Sequence, residues 1–304
     1  MATKSVNGVP LGFRKLGNRN NHTIVCAHPV LFDSTVFDRL VAELADDFHL
    51  VLLDIHGHGE SGYRTPLTLE DITTDYYQLL AELDIARCTW IGYSIGGMIG
   101  MRLALSHPIL FESLVLMATS ARRDHPQLLL QTETLWRLFR AGHREDIVDA
   151  ALHFFFAEST FKTQPELVAR HSAKMTNYNH KQGEAMFEVA TAVLDRIDIS
   201  HQIQSLRMPT LVVAGKEDPA APPEESELIA SRIPGAELVV VDNASHLLLL
   251  EQPEAVTTLI ADFVRKGKTV QKTGDRATAA GPSRLAEDLA RFFHPDSRDQ
   301  QPGT

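Results

Sequence analysis

The sequence predicts an α/β fold, in which a mostly parallel central sheet is flanked by helices and carries a helical insertion. Short apolar runs alternate along the chain with amphipathic segments of helix length, as is typical of strands joined by crossover helices. Between residues 121 and 203 this alternation stops and only helical patterns remain. With 304 residues, of which 44% are hydrophobic, the chain is long enough for one large domain that carries such an insertion.

Strands are predicted where short apolar runs are rich in β-branched residues, at 9–16, 22–28, 49–55, 88–93, 111–119, 209–215 and 236–242. Helices are predicted between them at 34–47, 69–84, 95–107, 222–233 and 253–266. Pro222-Pro223 followed by two glutamates indicates a helix start, because proline is tolerated in a first turn and carboxylates suit the positive end of a helix. These elements assign residues 1–120 and 204–266 to one core.

The remaining segments are expected to lie outside that core. Residues 121–203 are predicted to form a helical cap over the carboxyl edge of the sheet, with helices at 126–141, 144–157, 164–177 and 180–196. Residues 267–282 are rich in Lys, Thr, Gly and Ala, which is typical of a linker. Residues 283–293 have the pattern of one short amphipathic helix, and the polar end of the chain, up to residue 304, is expected to be disordered.

The composition of the chain restricts its expected cellular compartment and its expected binding partners. A formal net charge of −10 disfavours a nucleic-acid partner, which would require a basic face. The first residues lack the apolar segment of a secretory signal, and no run reaches the ~18 consecutive apolar residues of a membrane span. Cys26 and Cys88 lie in apolar runs, so we expect buried free thiols. The sequence thus predicts a cytoplasmic protein without a membrane or nucleic-acid partner, and it leaves a homo-oligomer open.

A candidate nucleophile lies in the segment Gly92-Tyr93-Ser94-Ile95-Gly96, which matches the pattern G-x-S-x-G. The pattern alone occurs by chance in roughly one chain in ten of this length, but here it follows a predicted strand and opens a helix. A sharp strand-to-helix turn needs glycines on both sides because a Cβ there would clash. Such a turn lifts the Ser94 hydroxyl above the sheet and leaves the N–H of Ile95 free at the helix N-terminus.

A serine hydroxyl needs a base that is held by a third group. On this kind of turn the acid and the histidine follow the serine in chain order, each on a loop after a later strand. Beyond Asp218 the chain holds only two histidines, His246 and His294, and His294 lies in the tail. We therefore predict His246 as the general base and Asp218, which follows the strand 209–215, as the acid that orients it.

Together these motifs resemble the α/β-hydrolase superfamily over roughly residues 8–266. The segment Asp54-Ile55-His56-Gly57-His58-Gly59-Glu60-Ser61 is similar to the superfamily's D-x-R-G-H-G-x-S turn, with His56 where arginine is usual. Ser245-His246 followed by Glu251-Gln252-Pro253-Glu254 is similar to its G-H-x-x-x-x-E-x-P-E segment. The residues from Gly92 to Gly100 and the helical stretch 121–203 resemble the group of capped esterases and 3-oxoadipate enol-lactonases. The resemblance implies an α/β-hydrolase fold.

The acid is the least determined member of the site. Glu217 is adjacent to Asp218, and Asp242 lies nearby, at the end of the predicted strand 236–242. Asp124 lies just past an earlier strand, where some members of this fold keep their acid, and it is the main alternative. Asp54 precedes the serine in the chain, and we interpret it as a group that stabilises a turn.

The resemblance also implies an oxyanion hole formed by the N–H groups of Val30 and Ile95. The superfamily usually has His-Gly after the strand that ends near residue 27, whereas this chain has His28-Pro29. Proline lacks an N–H, but Pro29 precedes the expected donor, so the hole can survive. The fixed φ of Pro29 is expected to stiffen the loop, and we interpret His28 as structural.

These residues predict a serine hydrolase that cleaves a small carboxylic ester or lactone through an acyl-enzyme, with no metal or organic cofactor. Carbon–carbon hydrolases of ring-cleavage dienones and haloperoxidase-like perhydrolases use the same triad, so both stay open. A non-catalytic ligand receptor on the same fold is a further alternative.

The sequence also offers candidates for recognising an acidic substrate, although arginines on helix surfaces are usually only solvated. These candidates are Arg122, Arg123, Arg137, Arg140 and Arg144. A basic end of the pocket would indicate an acidic lactone or dienoate. A wholly apolar pocket would indicate a neutral ester or lactone.

Overall fold

The computed structural model describes residues 1–274 and confirms the predicted fold class. Within these residues one sheet has the order β1-β2-β4-β3-β5-β6-β7-β8. Its strands are β1 (Ala2–Val6), β2 (Val9–Leu16), β3 (Thr23–Ala27), β4 (His49–Leu53), β5 (Cys88–Tyr93), β6 (Phe111–Met117), β7 (Thr210–Gly215) and β8 (Glu237–Val241). The pairs β1–β2 and β2–β4 are antiparallel, and all the others are parallel.

The edge strand β1 is absent from the predicted strands. It forms a hairpin with β2 in which Val6 pairs with Val9. The two linking residues, Asn7 and Gly8, have φ of 49° and 79°. Two positive φ angles are what a two-residue hairpin turn requires, and Asn-Gly is the dipeptide that adopts them most readily. The Asn-Gly pair was therefore the sequence signal for β1, since the strand itself is largely polar.

The helices of the core flank the sheet. They are α1 (Asp38–Leu44), α2 (Leu69–Glu82), α3 (Ile95–Ser106), α9 (Pro223–Arg232), α10 (Leu248–Glu251) and α11 (Pro253–Gly274). Helix α11 continues past its predicted end at residue 266 into the segment predicted as a linker. The helix predicted at 283–293 and the tail lie outside the described residues.

Residues 121–203, called the helical insertion below, connect β6 to β7. They contain α4 (Pro126–Ala141), α5 (Arg144–Phe155), α6 (Glu158–Thr163), α7 (Pro165–Thr176) and α8 (His180–Leu194). Four helices were expected, and the short α6 is the additional one. It begins just after Phe156, which is extended at φ −116° and ψ 142° and so ends the preceding helix.

The central strands are buried on both faces, which is why they have continuous apolar runs. Ile24 and Cys26 of β3 belong to one apolar cluster and Val25 to the other, on the opposite face. Cys26 and Cys88 are buried free thiols, as predicted. The loops after β5, β7 and β8 leave the same edge of the sheet because these strands are parallel. Among the described helices, none combines the length and the apolar character that crossing a membrane requires.

Candidate active site

Ser94 lies in a sharp turn between β5 and α3. Its φ is 54° and its ψ is −116°, a conformation that costs a non-glycine residue about 1–3 kcal/mol. The turn passes so close to β3 that a Cβ on Gly96 would lie 2.1 Å from the carbonyl oxygen of Ala27. The Ser94 N–H donates to the Met117 carbonyl at 2.8 Å, and the Thr119 hydroxyl donates to the Ser94 carbonyl at 2.7 Å. Hydrogen bonds from β6 and the residues after it therefore hold this strained turn.

The three side chains predicted to form the triad meet above this edge of the sheet. Ser94 Oγ lies 3.1 Å from Nε2 of His246, and Nδ1 of His246 lies 2.8 Å from Oδ2 of Asp218. A carboxylate only accepts, so Nδ1 carries the proton and Nε2 presents a lone pair to the hydroxyl. The second carboxylate oxygen of Asp218 accepts the N–H groups of Ala220 and Ala221 at 2.8 and 2.9 Å. This arrangement can remove the serine proton during attack on a carbonyl carbon.

The other carboxylates that the sequence offered as the acid have different partners. Asp124 forms an ion pair with Arg196. Glu217 accepts a backbone N–H of the helical insertion at 3.2 Å. Asp242 forms an exposed ion pair with a lysine. Of the four acids considered, Asp218 is the one that the structure brings to His246.

The loop that carries His246 is anchored by Glu251, which the sequence analysis noted only as part of a motif. Its Oε2 accepts the N–H of Ser245 at 2.7 Å. Its Oε1 accepts the N–H of Ala157 and the hydroxyl of Thr160, both at 2.7 Å. Burial raises the pKa of Glu251 above its ordinary value. One buried carboxylate thus joins the histidine loop to the helical insertion.

His28 is buried behind the loop that follows β3. Its Nδ1 lies 2.7 Å from the carbonyl oxygen of Pro29, and its Nε2 lies 2.8 Å from the backbone nitrogen of Ile55. The carbonyl can only accept and the amide can only donate, so these partners fix one neutral tautomer. Burial lowers the pKa of His28. The ring ties the loop to the neighbouring turn, which agrees with the predicted structural role.

His58 holds the same loop at Leu31, two residues after Pro29. Its Nε2 accepts the N–H of Leu31 at 3.0 Å, and its Nδ1 donates to the His56 carbonyl at 2.8 Å. Leu31 has φ 66°, so the hydrogen bond stabilises a left-handed residue. Burial and the nearby His28 ring lower the pKa of His58 to about 3. His58 is a positioning residue that the sequence analysis recognised only as part of a motif.

This loop presents one of the two expected oxyanion donors. Val30 lines the same pocket as Ser94. Within the described residues, the N–H groups of Val30 and Ile95 do not donate to a protein acceptor. Both remain available to a ligand oxygen.

The turn at residues 54–61 supports the loop from behind. Asp54 accepts the N–H groups of Ser34 and Glu60 at 2.9 and 3.0 Å, in keeping with the turn-stabilising role predicted for it. His56, where arginine is usual in the resembled family, lies with its Nε2 2.8 Å from Oδ2 of Asp75, and both side chains are buried. This departure therefore lies in the support of the turn and outside the pocket.

A pocket of about 900 Å³, including its open mouth, separates the helical insertion from Ser94. Its walls are mainly apolar and aromatic, with Met98, Trp136, Phe139 and Phe155 among them. The aromatic residues come from the helical insertion, so the insertion supplies much of the surface that a substrate would contact.

The arginines that the sequence offered for binding a carboxylate do not line this pocket. Arg122, Arg123, Arg137 and Arg140 each form an ion pair elsewhere, and Arg144 donates to a backbone carbonyl. The arginine that does line the pocket is Arg196, which the sequence analysis did not single out. No local pattern marks it, since its acidic partner Asp124 and the Arg122 carbonyl are distant in the chain.

The sheet order and the serine on a tight strand-to-helix turn define the class of α/β hydrolases. The chain belongs to the alpha/beta hydrolase fold family, whose sequence model matches residues 23–253. It is 25% identical to 3-oxoadipate enol-lactonase 2 of Acinetobacter baylyi over 266 residues, which are 87% of this chain and 96% of that protein.

Two solved structures have the same architecture. A thermophilic esterase from Thermogutta terrifontis superposes with a TM-score of 0.79 at 27% identity, covering 88% of this chain and 98% of that one. An enol-lactonase from Burkholderia xenovorans LB400 has a TM-score of 0.78 at 28% identity, covering 87% and 100%. The predicted resemblance to the enol-lactonase and esterase group is confirmed.

Proposed function

We propose that the protein hydrolyses a carboxylic ester or a lactone, with Ser94 as nucleophile, His246 as general base and Asp218 as the orienting acid. The observation that carries this proposal is the unbroken chain of hydrogen bonds from Ser94 Oγ through His246 to Asp218, at 3.1 and 2.8 Å. The ester and lactone substrates named for the relatives support the choice of bond.

In the proposed reaction Ser94 Oγ bonds to the carbonyl carbon while its proton passes to Nε2 of His246. The N–H groups of Val30 and Ile95 donate to the oxyanion of the tetrahedral intermediate. The bond from the carbonyl carbon to the leaving oxygen then breaks, and His246 protonates that oxygen. Asp218 stabilises the imidazolium between these two transfers.

Water completes the cycle by attacking the acyl-enzyme. His246 takes a proton from the water as the new carbon–oxygen bond forms, and the bond to Ser94 Oγ breaks as the proton returns to the serine. Each turnover consumes one water. An ester gives an acid and an alcohol, and a lactone gives one hydroxy acid.

We also propose that the helical insertion acts as the cap of this site, and that residues 1–120 and 204–266 form its core. The aromatic lining from the insertion supports this division, because the triad lies in the core while much of the pocket wall comes from the insertion. Residues 267–304 would then be a C-terminal extension that the reaction does not use.

A short-chain nitrophenyl ester tests the proposal. Wild-type protein should release nitrophenol with turnover, and Ser94→Ala should lower kcat by at least about 10⁴-fold while circular dichroism stays unchanged. Ser231→Ala, on the exposed side of α9, is the matched control and should keep full activity. Near-wild-type turnover by Ser94→Ala would refute the assignment.

Two further assays separate the alternatives. Hydrolysis of a ring-cleavage dienone, followed by loss of its visible absorbance, without ester turnover would indicate a carbon–carbon hydrolase. Stoichiometric ligand binding without turnover of any of these compounds would indicate a receptor.

A further inference from the structure

We propose that Asp124 determines which substrate charge the pocket accepts. Because Asp124 pairs with Arg196, the pocket excludes carboxylate-bearing substrates and accepts neutral, apolar acyl groups or lactones. This inference rests on the proposed function, because it names the substrate class of the same pocket. It starts from a charged pair that lies in a mainly apolar wall. Of the described residues that line the pocket, Asp124 and Arg196 are the aspartate and the arginine, and the wall contains no lysine or glutamate.

The hydrogen-bonding capacity of Arg196 is fully used by the protein. A guanidinium has five N–H donors. Nε donates to the Arg122 carbonyl at 2.7 Å, and Nη1 donates to Asp124 at 3.2 Å and to the Val193 carbonyl at 2.8 Å. Nη2 donates to the other oxygen of Asp124 and, at 3.5 Å, to the hydroxyl of Ser120. Every donor thus has a protein acceptor, and the side chain is only 1% exposed.

A substrate carboxylate therefore finds no free cation in this wall. To reach Arg196 it would have to displace Asp124, which would then keep its charge in an apolar pocket without its partner. If Asp124 stayed in place, the two carboxylates would repel each other at short range, where the apolar surroundings screen charge weakly. A neutral acyl chain meets neither cost, and it gains contact with the aromatic walls.

The same geometry predicts what removal of the aspartate charge would do. Asp124→Asn keeps the shape of the side chain and an acceptor oxygen, but it leaves the positive charge of Arg196 uncompensated. The pocket of that variant should then attract a carboxylate. The catalytic groups are unchanged, because Asp218 is the acid on His246.

Two esters of equal chain length provide the test. Nitrophenyl hexanoate is neutral, and the mono-nitrophenyl ester of adipic acid carries a terminal carboxylate in place of the methyl group. The wild type should prefer the neutral ester in kcat/KM by on the order of 10²-fold. Asp124→Asn should reduce that preference at least about 10-fold, mainly by accelerating the charged ester. High salt should reduce the gain only in part, because the gain is electrostatic but buried charges are screened less by salt than exposed ones.

Two control variants distinguish the effect of the pocket charge from the effect of removing a charge elsewhere. Asp195→Asn removes an exposed aspartate that pairs with Arg123 and does not line the pocket, and it should leave the preference unchanged. The double variant Asp124→Asn with Arg196→Met removes both charges and should again prefer the neutral ester. Equal wild-type rates on both esters, or an unchanged preference in Asp124→Asn, would overturn the proposal. Loss of activity on both esters by a folded Asp124→Asn would also overturn it, since Asp124 would then serve the catalysis itself.

Binding gives a readout that does not depend on turnover. Calorimetric titration of Ser94→Ala with methyl hexanoate and with monomethyl adipate should show tighter binding of the neutral ester, and Asp124→Asn in the same background should narrow the difference. If wild-type protein hydrolyses neither nitrophenyl ester, the proposed function fails, whereas the binding preference still decides the charge proposal. Equal binding of the two methyl esters would refute it.

Discussion

Replacement of His58 by glutamine is expected to make the stability of the protein less sensitive to acid. In the folded protein Nε2 of His58 accepts the N–H of Leu31 at 3.0 Å. A proton on Nε2 would turn it into a second donor that faces the Leu31 N–H, and this hydrogen bond would be lost. The pKa of His58 is lowered from an ordinary 6.5 to about 3. As the pH falls below 6.5, the unfolded chain therefore takes up a proton at His58 that the folded protein does not.

The sign and size of the effect follow from this difference. The contribution of neutral His58 to stability is complete above pH 6.5 and is lost progressively as the pH falls toward 3. At pH 5 the loss from this one group is about 2 kcal/mol, because each pKa unit corresponds to about 1.4 kcal/mol. Asp33 and Lys174 also act on His58 through their charges, and Asp33 stays charged from pH 8 to pH 5 because its pKa is lowered to about 2. The burial that lowers the pKa of His28 acts in wild type and variant alike.

Urea denaturation of both proteins at pH 8 and pH 5 measures the effect. Glutamine at position 58 does not titrate, and its amide oxygen can still accept the Leu31 N–H. The free energy of unfolding should therefore fall by about 2 kcal/mol less in His58→Gln than in the wild type. His180→Gln is the control, because the His180 side chain is 79% exposed. The free energy of unfolding of this control should fall between pH 8 and pH 5 by as much as that of the wild type. Equal falls in the wild type and His58→Gln would refute the argument.

Three further predictions concern the triad acid, the histidine loop and the serine turn. Asp218→Asn should lower kcat on a nitrophenyl ester by about 10⁴-fold because an amide cannot stabilise the imidazolium, whereas exposed Asp242→Asn should leave kcat unchanged in the same steady-state assay. Glu251→Leu leaves three buried donors without an acceptor, so the free energy of unfolding in urea should fall by at least about 3 kcal/mol, and Glu251→Gln should lose less. Gly96→Ala should unfold at a markedly lower temperature because its Cβ would lie 2.1 Å from a backbone oxygen. In Gly267→Ala the new Cβ would have open space around it, so the free energy of unfolding of that variant should rise by about 0.5–1 kcal/mol.

Local sequence was sufficient to predict the fold class and to choose most of the triad candidates. Ser94 and Gly96 are determined by one turn whose glycines and flanking strand are contiguous in the chain. The chain order of strands and loops then leaves few choices for the histidine. Boundaries were predicted less well where the signal was a turn or a short segment, as with β1 behind Asn7-Gly8 and with α6, which has only six residues.

Features that depend on packing between distant segments were not predictable. Arg196 and Asp124 are 72 residues apart, and nothing near either residue indicates that one will neutralise the other. Glu251 was visible in a motif, but its link to Ala157 spans 94 residues and depends on how the helical insertion folds back. The sequence could therefore supply candidate arginines, whereas only the folded chain decides which of them faces the pocket and whether its charge is free.

The anchoring by Glu251 also limits how the protein can open. The carboxylate holds Ala157 of the helical insertion and the loop of His246 together, and beside it the N–H of Leu247 donates to the Phe155 carbonyl at 3.0 Å. A hinge motion that lifted α5 and α6 from the sheet would break these bonds and release the histidine. Any widening of the pocket that leaves His246 in place must therefore keep these contacts of the helical insertion with the histidine loop.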